Sequence, residues 1–70
     1  MNRKFKDFQQ VVALQFTLNG SKMDVNGIVE GWDLRSSKYA VRINTVVVYL
    51  PEERLVDYEE FWDKFNKEKV

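Results

Sequence analysis

Seventy residues make one domain, and a chain of that length buries only about 60% of the surface its unfolded form exposes, so its core has to be efficient. Hydrophobic residues at 44% and aromatics at 14% speak against disorder, while eleven basic against eleven acidic residues give a net charge of zero and remove the long-range attraction to phosphate on which general nucleic-acid binders rely. With neither cysteine nor histidine, disulfides, thiolate or imidazole metal sites and cysteine nucleophiles are excluded, and acid–base chemistry near neutral pH falls to carboxylates, lysines or tyrosines of strongly shifted pKa.

The basic start Arg3-Lys4-Phe5-Lys6 is followed at once by Asp7 and then by Gln9 and Gln10, and no apolar run approaches the roughly 18 residues of a membrane span. Neither a signal peptide nor a span is expected. A small domain without cysteine fits a reducing compartment, so a cytoplasmic location is expected. Within residues 1–10 the spacing of Phe5 and Phe8 allows either a short helix reaching toward Val12 or a ragged first strand.

From residue 10 apolar and polar positions alternate, with Val12, Leu14, Phe16 and Leu18 on one face and Val11, Ala13, Gln15 and Thr17 on the other. This is strand one. Asn19-Gly20 tolerates positive φ at both positions and predicts a two-residue hairpin turn; Asn19-Gly20-Ser21 formally matches a glycosylation acceptor but reads as that turn. Met23 and Val25 continue the alternation on the return. A second Asn-Gly, at 26 and 27, is either another tight turn or a bulge within one long bent strand running to Asp33.

Leu34-Arg35-Ser36-Ser37 is a polar connection, after which Tyr39, Val41 and Ile43 point one way and Lys38, Ala40 and Arg42 the other. Asn44-Thr45 turns the chain into Val46–Leu50. Apolar residues on both faces there predict a central strand, or one covered on its outer side. Pro51 ends the ladder by withdrawing a backbone donor. Asp57 followed three residues later by Glu60 is a capping box, and Tyr58, Phe61, Trp62 and Phe65 fall at i, i+3, i+4 and i+7, so an amphipathic helix is expected over about 57–68. Its acidic first turn (Glu59, Glu60) and basic last turn (Lys64, Lys67, Lys69) complement the helix dipole.

This order of elements resembles the small β-barrels of SH3-like and Sm-like type. Gly27-Ile28-Val29-Glu30-Gly31-Trp32-Asp33 is similar to the pattern that ends strand two of Sm-like proteins, and Val46 to Leu55 is similar to the closing strand and short turn of SH3-like domains. The resemblance implies a mainly β fold, a meander of four or five strands closing into a barrel with a C-terminal amphipathic helix, in class α+β. It covers about half the chain. It departs from both families where their functions reside: Leu34-Arg35-Ser36-Ser37 and Ile43-Asn44-Thr45 lack the RNA-binding loops of Sm proteins, and the N-terminal acidic and aromatic cluster of peptide-binding SH3 domains is missing. No family site carries over. In size and style the chain is also similar to small accessory proteins of phages and mobile elements.

Four constellations are candidates for function. Trp32 beside Asp33 could recognise a ligand at a bend, but reads first as a core plug with Asp33 capping the next turn. Glu30 and Asp33 could pair as carboxylates only if Gly31 bulges, since an offset of three puts them on opposite faces of a strand. Lys22, Arg35, Lys38 and Arg42 with Tyr39 would make a basic, aromatic strand face for weak local contact with RNA or DNA. Val11, Ala13, Val47 and Tyr49 form a second apolar set that needs a cover, supplied either by Tyr58, Phe61, Trp62 and Phe65 of the tail helix or by another protein. The function expected is that of a non-enzymatic interaction module, with a protein partner or a second copy bound through Val47, Tyr49, Tyr58, Phe61, Trp62 and Phe65. Nucleic acid is the alternative partner. No cofactor, metal or small-molecule substrate is expected, and nothing in the chain favours an enzyme.

Overall fold

The computed structural model describes residues 3–68. The elements run β1 (Gln10–Leu18), β2 (Ser21–Asp33), β3 (Lys38–Ile43), β4 (Val46–Leu50), a 3-10 turn at Glu52–Arg54, β5 (Leu55–Asp57) and α1 (Tyr58–Glu68). All strand pairs are antiparallel and form one five-stranded sheet in the order β4-β3-β2-β1-β5. The α+β class and the tail helix agree with the sequence; closure into a barrel does not follow. The sheet is open, with β4 and β5 as its edges. β5 is only three residues long, and they pair with Val11–Ala13 of β1.

The first hairpin turns where the sequence places it. Leu18 pairs with Ser21, and Asn19 and Gly20 take φ of 53° and 82°, the left-handed values that favour these two residue types. Asn26-Gly27 is neither a turn nor a bulge: both residues pair with β1 inside an unbroken thirteen-residue β2. Gly27 serves close packing instead, because a Cβ there would lie 2.7 Å from Val41 Cγ1 and 3.2 Å from the Arg42 carbonyl oxygen. The bulge in β2 falls three residues on, where Val29 pairs with Val41 and Gly31 with Ala40, leaving Glu30 as the extra residue.

A second bulge corrects the faces assigned to β1. Between Ala13 and Phe16 the pairing with β2 slips, and Gln15 adopts φ of 52°. Its N–H donates to Asp24 Oδ1 at 3.0 Å, and the Arg54 guanidinium donates to the carbonyls of Leu14 (3.0 and 3.2 Å) and Gln15 (2.9 Å), so the kink is pinned from two sides. The slip moves the core-facing set from odd to even positions. Val11 and Ala13 are therefore in the core, with Phe16 packed against it. By alternation Val12 and Leu14 face the other way, toward α1, which packs on β1 and β5.

The core is built on Tyr39, Val41 and Ile43 of β3 with Val11, Val29 and Leu55, and it is closed at one end by Phe5. Residues 3–9 form neither helix nor strand. They run as bends and a turn whose Phe8 N–H donates to the Val29 carbonyl and whose Gln9 carbonyl accepts from Val29 N–H at 3.0 Å. Only one of the two phenylalanines the sequence singled out is used: Phe5 is buried, while Phe8, at φ 68°, is 76% exposed. β4 is likewise corrected. It is an edge strand whose outer-face residues Val47 and Tyr49 are 39% and 57% exposed, neither central nor covered. Pro51 ends it as expected, and the Arg54 N–H donates back to the Pro51 carbonyl at 3.0 Å to close the 3-10 turn.

Candidate protein-binding surfaces

Tyr39 decides the fate of the basic patch. It lies on the same parity as Val41 and Ile43, opposite to Lys38 and Arg42, and is 0% exposed. Its Oη accepts the backbone N–H groups of Lys4 (2.9 Å) and Phe5 (3.2 Å) and donates to Glu52 Oε1 (3.2 Å), while its ring meets the edges of Phe5 and Trp32 at centroid distances of 5.4 and 4.6 Å. No base can stack on it. The cations named with it are also dispersed. Lys22 sits near the start of β2, Lys38 pairs with Asp33 at its far end, and Arg35 lies in the loop beyond. Arg42 is committed to Glu30, with Nε 2.9 Å and Nη2 3.3 Å from the two carboxylate oxygens.

Glu30 and Asp33 do not form an acid pair. The hydrogen bond from Arg42 holds the Glu30 carboxyl below its ordinary value. Asp33 Oδ2 accepts both the hydroxyl (2.5 Å) and the N–H (3.2 Å) of Ser36, and these bonds lower its pKa in turn. Asp33 thus caps the loop before β3, as its position suggested. Trp32 packs against the core edge-on to Tyr39, and its Nε1 is buried without a hydrogen-bond partner. Among the described residues there is no group of three or more carboxylates arranged to hold a metal ion, and no helix is long and apolar enough to cross a membrane.

The apolar set is divided between two places. Val47 and Tyr49 stand on the outer face of β4, opposite Arg42 and Ala40 of β3, with Ile28 next in the row beyond Arg42. They are not under the helix. Tyr58, Phe61, Trp62 and Phe65 belong to α1, which follows β5 directly and packs on β1 and β5, toward the edge of the sheet opposite β4. Asp57 starts the helix as expected: Oδ2 accepts the Glu60 N–H at 3.2 Å, and Oδ1 accepts Gln9 Nε2 at 2.7 Å, which ties the helix start to the N-terminal segment.

The helix covers β1 and β5 only in part. Between them runs an open groove of about 560 Å³, lined by Leu14, Val56, Phe61 and Phe65 together with the charged Glu60 and Lys64. Trp62 beside it is 37% exposed and is held edge-to-face by Phe61 (5.3 Å), Phe65 (5.4 Å) and Tyr58 (6.3 Å). Such interlocked rings present a large apolar area with little rotamer freedom left to lose on binding. Leu14 and Val56 escaped the sequence reading. The β1 bulge hid the facing of Leu14, and Val56 lies in a strand of three residues, too short to give a period. The chain matches no protein-family model, no curated protein and no solved structure, so no relative lends this groove an assignment.

Proposed function

We propose that this protein is a non-enzymatic module that binds another polypeptide in the groove between α1 and the β1–β5 pair. One observation carries the reading: the aromatic stripe of the amphipathic helix is not fully covered by its own sheet, leaving Trp62 and Phe65 exposed and an open groove lined by Leu14, Val56, Phe61 and Phe65. Aromatic anchors beside an apolar groove with a few charged groups are the composition of interface hot spots. The strand order β4-β3-β2-β1-β5 and the 3-10 turn between β4 and β5 support reading the open sheet as a relative in architecture of the SH3-like domains.

The test is site-directed photo-crosslinking in the cells that make the protein. Benzophenone is placed at Phe65 in the groove and, as a control, at Phe8, which is equally aromatic and exposed elsewhere. The reading expects discrete adducts from position 65 that vanish when Phe61→Asp is added, and none of these from position 8. Identical adducts from both positions, or none from 65, contradict it.

A further inference from the structure

We infer that Asn19 is a site of self-modification, converting without an enzyme to aspartate and isoaspartate, and that the fold withholds the chain's other Asn-Gly pair, Asn26-Gly27, from the same reaction. The chemistry needs only the two residues and water. The backbone nitrogen of the following residue gives up its proton and attacks the side-chain carboxamide carbon. The N–Cγ bond forms, the Cγ–Nδ2 bond breaks, and the amide leaves as ammonia carrying that proton. Water then opens the five-membered imide at one carbonyl or the other, giving aspartate or, with the chain rerouted through the side chain, isoaspartate. Nothing is oxidised or reduced, and the chain gains one negative charge.

Two conditions govern the rate: an uncrowded nitrogen, and freedom of the peptide to rotate until that nitrogen faces Cγ. A following glycine meets the first, so Asn19-Gly20 and Asn26-Gly27 both qualify. Asn44, equally exposed in a turn at φ 58°, precedes the β-branched Thr45 and does not. The second condition separates the two Asn-Gly pairs, although the side chains of both asparagines are exposed. Asn19 and Gly20 form a hairpin tip where nothing stands within 4 Å of a Cβ built on Gly20, and rotation there frays only the end of the ladder at Leu18 and Ser21. Gly27 is buried in β2, between β1 and β3, paired with Val11, and a Cβ on it would meet Val41 Cγ1 at 2.7 Å and the Arg42 carbonyl oxygen at 3.2 Å. Rotation there breaks the middle of the sheet, so reaction at Asn26 waits for an opening close to global unfolding. Among these three asparagines only Asn19 meets both conditions.

The test is incubation of the full chain in mildly alkaline buffer, folded and in denaturing urea, followed by peptide mapping with mass spectrometry that separates the aspartate and isoaspartate forms. In the folded protein the mass gain of deamidation should accumulate at Asn19, in both forms, at least roughly tenfold faster than at Asn26 or Asn44. In urea the protection of Asn26 should vanish, so that Asn19 and Asn26 react at similar rates while Asn44 still lags. Asn19 no faster than Asn26 in the folded protein overturns the inference. An Asn26 that lags Asn19 by the same factor in urea overturns it as well, because local sequence rather than the sheet would then set the difference. An Asn44 that keeps pace with Asn19 in the folded protein removes the requirement for glycine and with it the assignment of Asn19 alone.

Discussion

The hydroxyl oxygen of Tyr39 accepts the backbone N–H of Phe5 at 3.2 Å while the two rings meet edge-on at 5.4 Å. One side chain thereby anchors a segment thirty-four positions away in sequence and closes the core with it. Tyr39→Phe keeps the ring contacts but leaves the N–H groups of Lys4 and Phe5 without this acceptor. Loss of a buried acceptor costs about 1–3 kcal/mol, so thermal unfolding should shift down by roughly 4–8 °C per kcal/mol in a domain of this size. Amide exchange at Phe5 should quicken. Unchanged exchange there would mean that the hydroxyl does not hold the segment.

Two glycines of β2 should respond oppositely to alanine. At Gly27 the added methyl would meet Val41 Cγ1 of β3 at 2.7 Å, an overpacking worth about 1–3 kcal/mol. At Gly31 nothing lies within 4 Å, and alanine should be neutral or gain up to about 1 kcal/mol by restricting the unfolded chain. Denaturant midpoints of the two variants settle the contrast; equal losses would show that Gly27 has no special role.

Asp57 joins three parts of the chain through the Glu60 N–H and the Gln9 amide. Asp57→Ala should remove about 1–2 kcal/mol through the lost cap and reduce the helical signal in circular dichroism. Asp57→Asn, which retains an acceptor oxygen, should recover most of it. An alanine variant as helical and stable as wild type would contradict this assignment.

The acid limb of stability has named sources. Glu30 and Asp33 have folded pKa values below their ordinary 4.5 and 3.8, held down first by the hydrogen bonds from Arg42 and Ser36. A lowered folded value means that the unfolded chain takes up protons first. The contribution is therefore complete above the ordinary values and is lost as pH falls through the lowered ones. Glu30→Gln combined with Asp33→Asn should flatten the fall in melting temperature below about pH 4.5 and leave its slope near neutrality unchanged. A double variant with the wild-type acid slope would place the titration elsewhere.

Much of the fold was written in local patterns. The Asn19-Gly20 turn, the alternation through β3, the stop at Pro51 and the Asp57 cap each rest on residues close in sequence. What was not legible depended on distant contacts. The faces of β1 were misread because the bulge at Gln15 is held by Asp24 and Arg54, residues whose own patterns announce nothing. Tyr39 belongs by sequence both to the alternating set with Val41 and to the basic stretch with Arg42; strand parity permits only the first, and its side chain is buried. Val46–Leu50 looked like a central strand because its composition is apolar on both faces, yet strand order rather than composition decides which strand lies at an edge. For the candidate site, the aromatic half was visible in the helical spacing of Phe61 and Phe65, and the floor of Leu14 and Val56 was not.

The central claim is that contact with another polypeptide is made by the α1 groove rather than by the exposed face of β4. Photo-crosslinking in the cells that make the protein, with benzophenone at Phe65 in the groove or at Tyr49 on the exposed face of β4, tests it most directly. The account predicts discrete adducts from position 65 that are absent from position 49. The same adducts from both positions, or adducts from position 49 alone, would contradict it.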